Sequence, residues 1–149
     1  MEIFPITPAS PKPLWVLAAI CALLAVLLVA FTYIAYSARH SRVELDGEHL
    51  RLVGDFWGRA IPLRLLKVNH ARIVNLEQAP EYYPKLRIWG TGLPGYASGW
   101  FRLRNGEKAL IYLTNRQRVV YVPTSADYSL LLSVTEPERF VEALTARAR

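Results

Sequence analysis

The chain has 149 residues, 52% of them hydrophobic in type, and a formal net charge of +6. Its one cysteine, Cys21, excludes an internal disulfide and says little about redox compartment. The basic balance admits nucleic acid as a partner class, but no motif for reading it is present.

Residues 1–13, MEIFPITPASPKP, contain four prolines. A segment of this kind is extended and cannot pack a core. The next segment, Leu14 to Tyr36, runs for 23 residues without a charge, a proline or a glycine. As an α-helix it spans roughly 34 Å at ~1.5 Å per residue, and the hydrocarbon core of a bilayer is about 30 Å thick. It has no polar face of the kind a water-exposed helix needs. One transmembrane helix over 14–36 is therefore predicted. Trp15 at its start and Tyr33 and Tyr36 at its end stand where amphipathic rings settle among headgroups. Cys21 falls inside the span as a small hydrophobe. A cleaved leader has an apolar core of about 7–15 residues behind an early positive charge. Here the core is longer, and the charges ahead of it are Glu2 and Lys12. Ala35-Tyr36-Ser37 leaves a small-x-small cleavage site as the minor alternative.

Lys12 precedes the span, whereas Arg39, Arg42 and Arg51 follow it, with His40 among them. Lys and Arg accumulate on the cytoplasmic side of a membrane segment. The expectation is a single-pass protein of the cell membrane, with its C-terminal part in the cytoplasm and a short tail outside. Because Glu2 offsets Lys12, residues 37–149 carry the whole surplus of +6. A basic domain tethered to a bilayer suits the anionic cytoplasmic leaflet, where each basic group is worth about 1 kcal/mol. The plain alternative is a soluble surface with a positive surplus.

Residues 37–149 are of ordinary size for one core, and their pattern is one of strands and turns. Val43-Glu44-Leu45 leads through Asp46-Gly47 into Glu48–Val53, where Leu50 and Leu52 share one face and His49, Arg51 and Val53 the other. Asp-Gly between alternating segments predicts a type I′ hairpin. Residues 60–66, 71–76 and 86–89 read as further strands. Residues 99–104 run through Asn105-Gly106, again a type I′ signal, into residues 107–114. Phe101 and Leu103 are predicted to face the core and Arg102 and Arg104 to face out. Asn115-Arg116-Gln117 turns the chain into the strand 118–122, which Pro123 stops. Tyr128 to Val134 is the last strand. Thr135-Glu136-Pro137-Glu138 fits a capping box, with Thr135 as cap and Glu138 reaching back. It opens a helix over 136–147 that carries the apolar stripe Phe140, Val141 and Leu144. The order is roughly seven strands and then one helix, with no internal repeat. Tight turns predict an antiparallel sheet, and the lone helix must bury its stripe against that sheet.

The segments Gly92-Leu93-Pro94-Gly95-Tyr96, Gly99-Trp100-Phe101, Asn105–Leu110, Arg118–Thr124 and Tyr128–Ser133 resemble the bacterial pleckstrin-homology (PH)-like families found behind transmembrane helices. The likeness covers about residues 40–147. It implies a mainly-β PH-like barrel closed by a C-terminal helix and no established enzymatic role. PH domains that bind phosphoinositides resemble one another in a basic first hairpin. Here that hairpin sets Glu44, Asp46 and Glu48 against Arg42 and Arg51, so no phosphoinositide site carries over.

Two local motifs carry no chemistry. Gly90-Thr91-Gly92-Leu93-Pro94-Gly95 satisfies GxGxxG, but a strand rather than a helix follows it, and Pro94 removes an N–H that a phosphate would use. Its glycines are expected in a tight irregular turn. In Gly95-Tyr96-Ala97-Ser98-Gly99 the central residue is Ala97, not the serine of a hydrolase elbow. His40, His49 and His70 lack metal-ligand spacing. No catalytic residue, metal site or cofactor is predicted.

What remains is an interaction or assembly module at a membrane surface, with a protein partner or a second copy of the chain. Its candidate contact loop holds Trp89, Gly90, Gly92, Pro94, Gly95 and Trp100. The rival reading is recognition of anionic lipid headgroups by the basic turns, through Arg102, Arg104, Lys108, Arg116 and Arg118. If adjacent strands pair through those turns, the two groups of cations lie at opposite strand ends. The bland alternative is a solvated strand face whose cations discourage edge pairing.

Overall fold

The computed structural model describes residues 10–148 together with Glu2, Phe4, Pro5 and Pro8. The expected proline-rich tail therefore lies partly outside the described residues. The chain forms two units, Met1–Ser37 and Ala38–Arg149.

The first unit is dominated by a helix, α1 (Lys12–His40), whose apolar window is unburied along its length and is long enough to cross a membrane. Arg39 and His40 occupy its last turn, where a cation meets the negative end of the helix dipole.

The second unit holds nine strands among its described residues and a closing helix. β1 (Arg42–Leu45), β2 (His49–Val53) and β3 (Ala60–Pro62) form an antiparallel meander. β4 (Arg72–Val74), β5 (Pro84–Leu93), β6 (Tyr96–Leu103), β7 (Lys108–Leu113), β8 (Val119–Pro123) and β9 (Ser129–Leu132) form a six-stranded sheet in the order β4-β8-β9-β7-β6-β5. The two sheets make a PH-like sandwich and do not close into a barrel. α2 (Pro137–Arg147) lays Leu144, fully buried, and Phe140 and Val141 onto the core between the sheets. This is the stripe expected from sequence.

The larger sheet is not a simple meander. β7 and β8 are joined by the Asn115–Gln117 turn, yet β9 lies between them, antiparallel to β8 and parallel to β7. Burial explains why this arrangement is stable. One face of the sheet packs Leu110, Tyr112, Val120, Val122, Leu130 and Leu132 toward the smaller sheet and α2. The opposite face packs Phe101, Leu103, Ile111, Val119 and Leu131 under Leu76, Tyr82 and Tyr83 of the segment that leads into β5. Strands covered on both faces read as unbroken apolar runs instead of alternating ones, as in Ala109–Leu113 and Val119–Val122.

Both predicted type I′ hairpins exist as hairpins with other turns. Among the described residues no non-glycine residue has positive φ, which that turn type demands at both central positions. At the first, the Glu48 and His49 amides donate to Asp46 Oδ1 at 2.8 and 2.9 Å, and these two bonds hold the Asp46 carboxyl below its ordinary range. At the second, the Glu107 amide donates to Asn105 Oδ1 at 2.9 Å and Gly106 takes the left-handed position at φ +89°. The short side-chain acceptors substitute for the missing backbone geometry. The expected capping box is also absent. Glu136 stands at the N-cap without a side-chain cap bond. Glu138 instead meets its own amide and pairs with Arg118, and together these lower its pKa.

Candidate interaction surface

β5 is the longest strand and has a strand neighbour, β6, on one side only. It joins β6 through Pro94-Gly95 alone, with Leu93 opposite Tyr96. The glycines expected in an irregular loop are therefore inside a hairpin, Gly90 opposite Gly99 and Gly92 opposite Ala97. Close backbone approach dictates the first pair. A Cβ on Gly90 would stand 2.3 Å from the Ser98 carbonyl oxygen, and one on Gly99 would stand 2.6 Å from Gly90 Cα. Glycine is the residue that permits such contact. The strand–turn–strand context also removes the helix N-terminus that a dinucleotide fingerprint needs.

The two tryptophans placed in one loop by sequence are cross-strand partners, Trp89 on β5 and Trp100 on β6. Trp89 is 68% exposed and meets Trp57 edge-on at 6.3 Å. Trp100 turns inward and packs on the inter-sheet core against Tyr128, with the Arg59 and Lys108 cations 5.0 and 4.5 Å from its ring centroid. On the same strand Leu86 is 58% exposed and Ile88 43%, and Phe56, the chain neighbour of Trp57, is 82% exposed. Contiguous exposed apolar side chains on an edge strand mark a contact surface. Pro84 and Lys85 at the strand start, and register shifts at Lys85 and Ile88, blunt its first half, while pairing with β6 is regular from Trp89 to Leu93.

The five candidate lipid contacts do not form one patch. Arg118 is engaged by Glu138 and Lys108 by Trp100. Arg102 reaches back to the Gly106 carbonyl at 3.4 Å. Arg104 and Arg116, which sequence places at opposite strand ends, converge on Tyr83, their guanidinium carbons 5.2 and 5.3 Å from its ring centroid. The Arg104 amide donates to the Tyr83 carbonyl at 3.0 Å, which fixes that ring beside β6. Tyr83 and Arg116 head a groove of about 440 Å³ along the far face of β5 and β6, with Gly92, Ala97, Phe101 and Leu113 in its lining. Arg87 on β5 joins it, with a terminal nitrogen 3.8 Å from where a Gly92 Cβ would be. Among the described residues Arg87, Arg104 and Arg116 take part in no ion pair. Sequence reasoning passed over Tyr83, Arg87 and Phe56. The available signal was the alternation of cations with apolar residues in Lys85–Trp89.

A polar latch stabilises this region. Asp55 accepts the Tyr112 hydroxyl at 2.5 Å, the Tyr96 hydroxyl at 3.0 Å and the Trp57 amide at 3.0 Å. Burial, and then the bond to Asp55, push the Tyr112 hydroxyl above its ordinary pKa. Burial also raises Tyr96. Both hydroxyls thus stay protonated and act as donors. Among the described residues no group of three His, Cys, Asp or Glu side chains is arranged to hold a metal ion.

A family model described as a bacterial PH domain matches residues 41–148. No curated protein and no solved structure gives a match to the chain.

Proposed function

Since the chain belongs to the bacterial PH-domain family, we propose that it is a non-enzymatic, single-pass protein of the cell membrane whose cytoplasmic PH-like domain is a protein-interaction or assembly module. The observation that carries this reading is the ten-residue edge strand β5 with Leu86, Ile88 and Trp89 exposed on it. An unpaired strand edge offers backbone donors and acceptors to a partner, and exposed aromatic and aliphatic side chains supply the apolar anchor. Affinity capture of the full-length protein from native membranes, compared with Trp89→Ala, tests it. Stoichiometric partners lost in the variant support the reading. An unchanged set of partners with a folded variant removes it.

The second reading, recognition of anionic lipid headgroups, is favoured by one observation: Arg104 and Arg116 are drawn together on Tyr83 without carboxylate partners among the described residues. Guanidinium groups so placed are free to take a phosphate oxygen. Binding of phosphatidylglycerol liposomes that falls with salt and with Arg104→Gln plus Arg116→Gln would support it. Binding indifferent to both would not.

A further inference from the structure

Resting on the reading of β5 as the contact surface, we propose that its partner is an extended segment of another protein in which apolar and acidic side chains alternate, added to the larger sheet as a strand beside β5.

β5 presents different side chains on its two sides. Residues directly opposite one another in an antiparallel pair share a face of the sheet. Leu86 and Trp89 stand opposite Arg102 and Trp100, and Leu93 opposite Tyr96, so these three share the side toward the smaller sheet. Arg87 stands opposite Phe101, and Gly92 opposite Ala97, so these share the far side with the groove. An added strand has the same period of two. Its residues on the first side meet exposed Leu86, Trp89 and Leu93. Its residues on the far side meet Arg87 and, over the bare Gly92, the rim where Arg116 stands.

Charge decides what those far-side residues are. β5 (PKLRIWGTGL) and β6 (YASGWFRL) carry Lys85, Arg87 and Arg102 and no acidic residue. Arg87 and Arg116 have no carboxylate within ion-pair distance among the described residues. A carboxylate is the group a guanidinium receives with two parallel hydrogen bonds. A second copy of the chain does not supply one through this strand. Two β5 strands set side by side add Lys85 and Arg87 to Lys85 and Arg87, with no acidic residue in any register. Like charges across strands are unfavourable. The edge is thus guarded against itself and open to an acidic strand, which is how charge both rejects and selects partners.

The test uses the full-length protein in phosphatidylcholine nanodiscs and three labelled synthetic peptides. The first is an alternating Glu-Val peptide, the second its Lys-Val counterpart, and the third the Glu-Val peptide N-methylated at alternate residues, prepared in both registers. The expected result is binding of the Glu-Val peptide and of one of its two N-methylated forms, with no binding of the Lys-Val peptide, and a loss of about tenfold on Arg87→Glu and less on Arg87→Gln. Equal binding of the Lys-Val peptide overturns the acidic preference. Full binding of both N-methylated peptides overturns strand addition, because each lacks the donors of one edge. If none of the peptides binds while Trp89→Ala still abolishes partner capture, the inference fails and β5 remains the contact surface. If Trp89→Ala leaves capture unchanged, the reading of β5 fails first. Binding to phosphatidylglycerol nanodiscs that Arg87→Glu abolishes, with no peptide bound, overturns the inference in favour of a lipid surface.

Discussion

Trp89 and Trp100 face each other across β5 and β6, yet one ring is 68% exposed and the other is packed on the core beneath the Arg59 and Lys108 cations. The inner ring packs on the core between the sheets, and the outer ring stays exposed on the edge strand. Truncating each should separate the two roles. Trp100→Ala should lower stability by about 3 kcal/mol, the usual loss for a large aromatic core residue. Trp89→Ala should change it by less than about 0.5 kcal/mol, as for a surface site. Urea unfolding of the full-length protein in mild detergent checks both.

Asp55 joins the β2–β3 loop to β6 and β7 through Tyr96 and Tyr112. Replacing it by alanine leaves two hydroxyls and the Trp57 amide without their acceptor. Asp55→Ala should cost about 2 kcal/mol, within the range for buried donors left unpaired. A double-mutant cycle with Tyr112→Phe should show coupling on the order of 1 kcal/mol. Additive losses would mean that the 2.5 Å bond carries no net stabilisation.

The same tyrosines set a response to alkali. Tyr96, Tyr112 and Tyr121 all have raised pKa values, chiefly through burial. A phenol in the unfolded chain ionises near pH ~10. Above that pH the unfolded state releases protons that the native state keeps, so stability, fully present below it, declines as pH rises. Unfolding midpoints should be flat up to about pH 9 and fall beyond about pH 10. Tyr112→Phe should make that decline shallower by about one proton's worth. A midpoint independent of pH up to about pH 11 would contradict the burial of these hydroxyls.

Gly99 and Gly95 both have positive φ, but their surroundings differ. A Cβ at Gly99 would meet the Trp89 carbonyl oxygen at 2.6 Å, whereas one at Gly95 meets nothing within 4 Å. Gly95→Ala should therefore lose about 1 kcal/mol, the backbone term alone. Gly99→Ala should lose about 3 kcal/mol or more and loosen the β5–β6 pairing. Comparable losses from the two substitutions would mean that the strands do not approach as closely as Gly90 and Gly99 place them.

Much of the fold is legible because it rests on local, additive properties. The apolarity of residues 14–36 needs no context, and α1 contains the whole segment. Alternation and turn residues locate β1, β2, β6 and β7, and the apolar spacing of Phe140, Val141 and Leu144 locates α2. The candidate contact surface is half legible. Trp89 and the glycines beside it are identifiable by type, whereas the burial of Trp100 depends on Tyr128 and Arg59, far away in sequence. The lipid candidates show the limit most clearly. Arg118 is spoken for by a glutamate 20 positions on, and Arg104 and Arg116 meet at a tyrosine that no local pattern connects to either.

A membrane-length helix, a basic mainly-β domain and a closing amphipathic helix are all written in local stretches of the chain. Length, periodicity and turn chemistry act over a few neighbouring residues, and distant packing does not alter them. Long-range packing places β9 between β7 and β8, covers the Lys108–Leu113 run on both faces and leaves β5 as an edge. Those outcomes come from competition among strands for the same hydrogen-bonding neighbours and the same apolar cover. No single segment encodes the result of that competition.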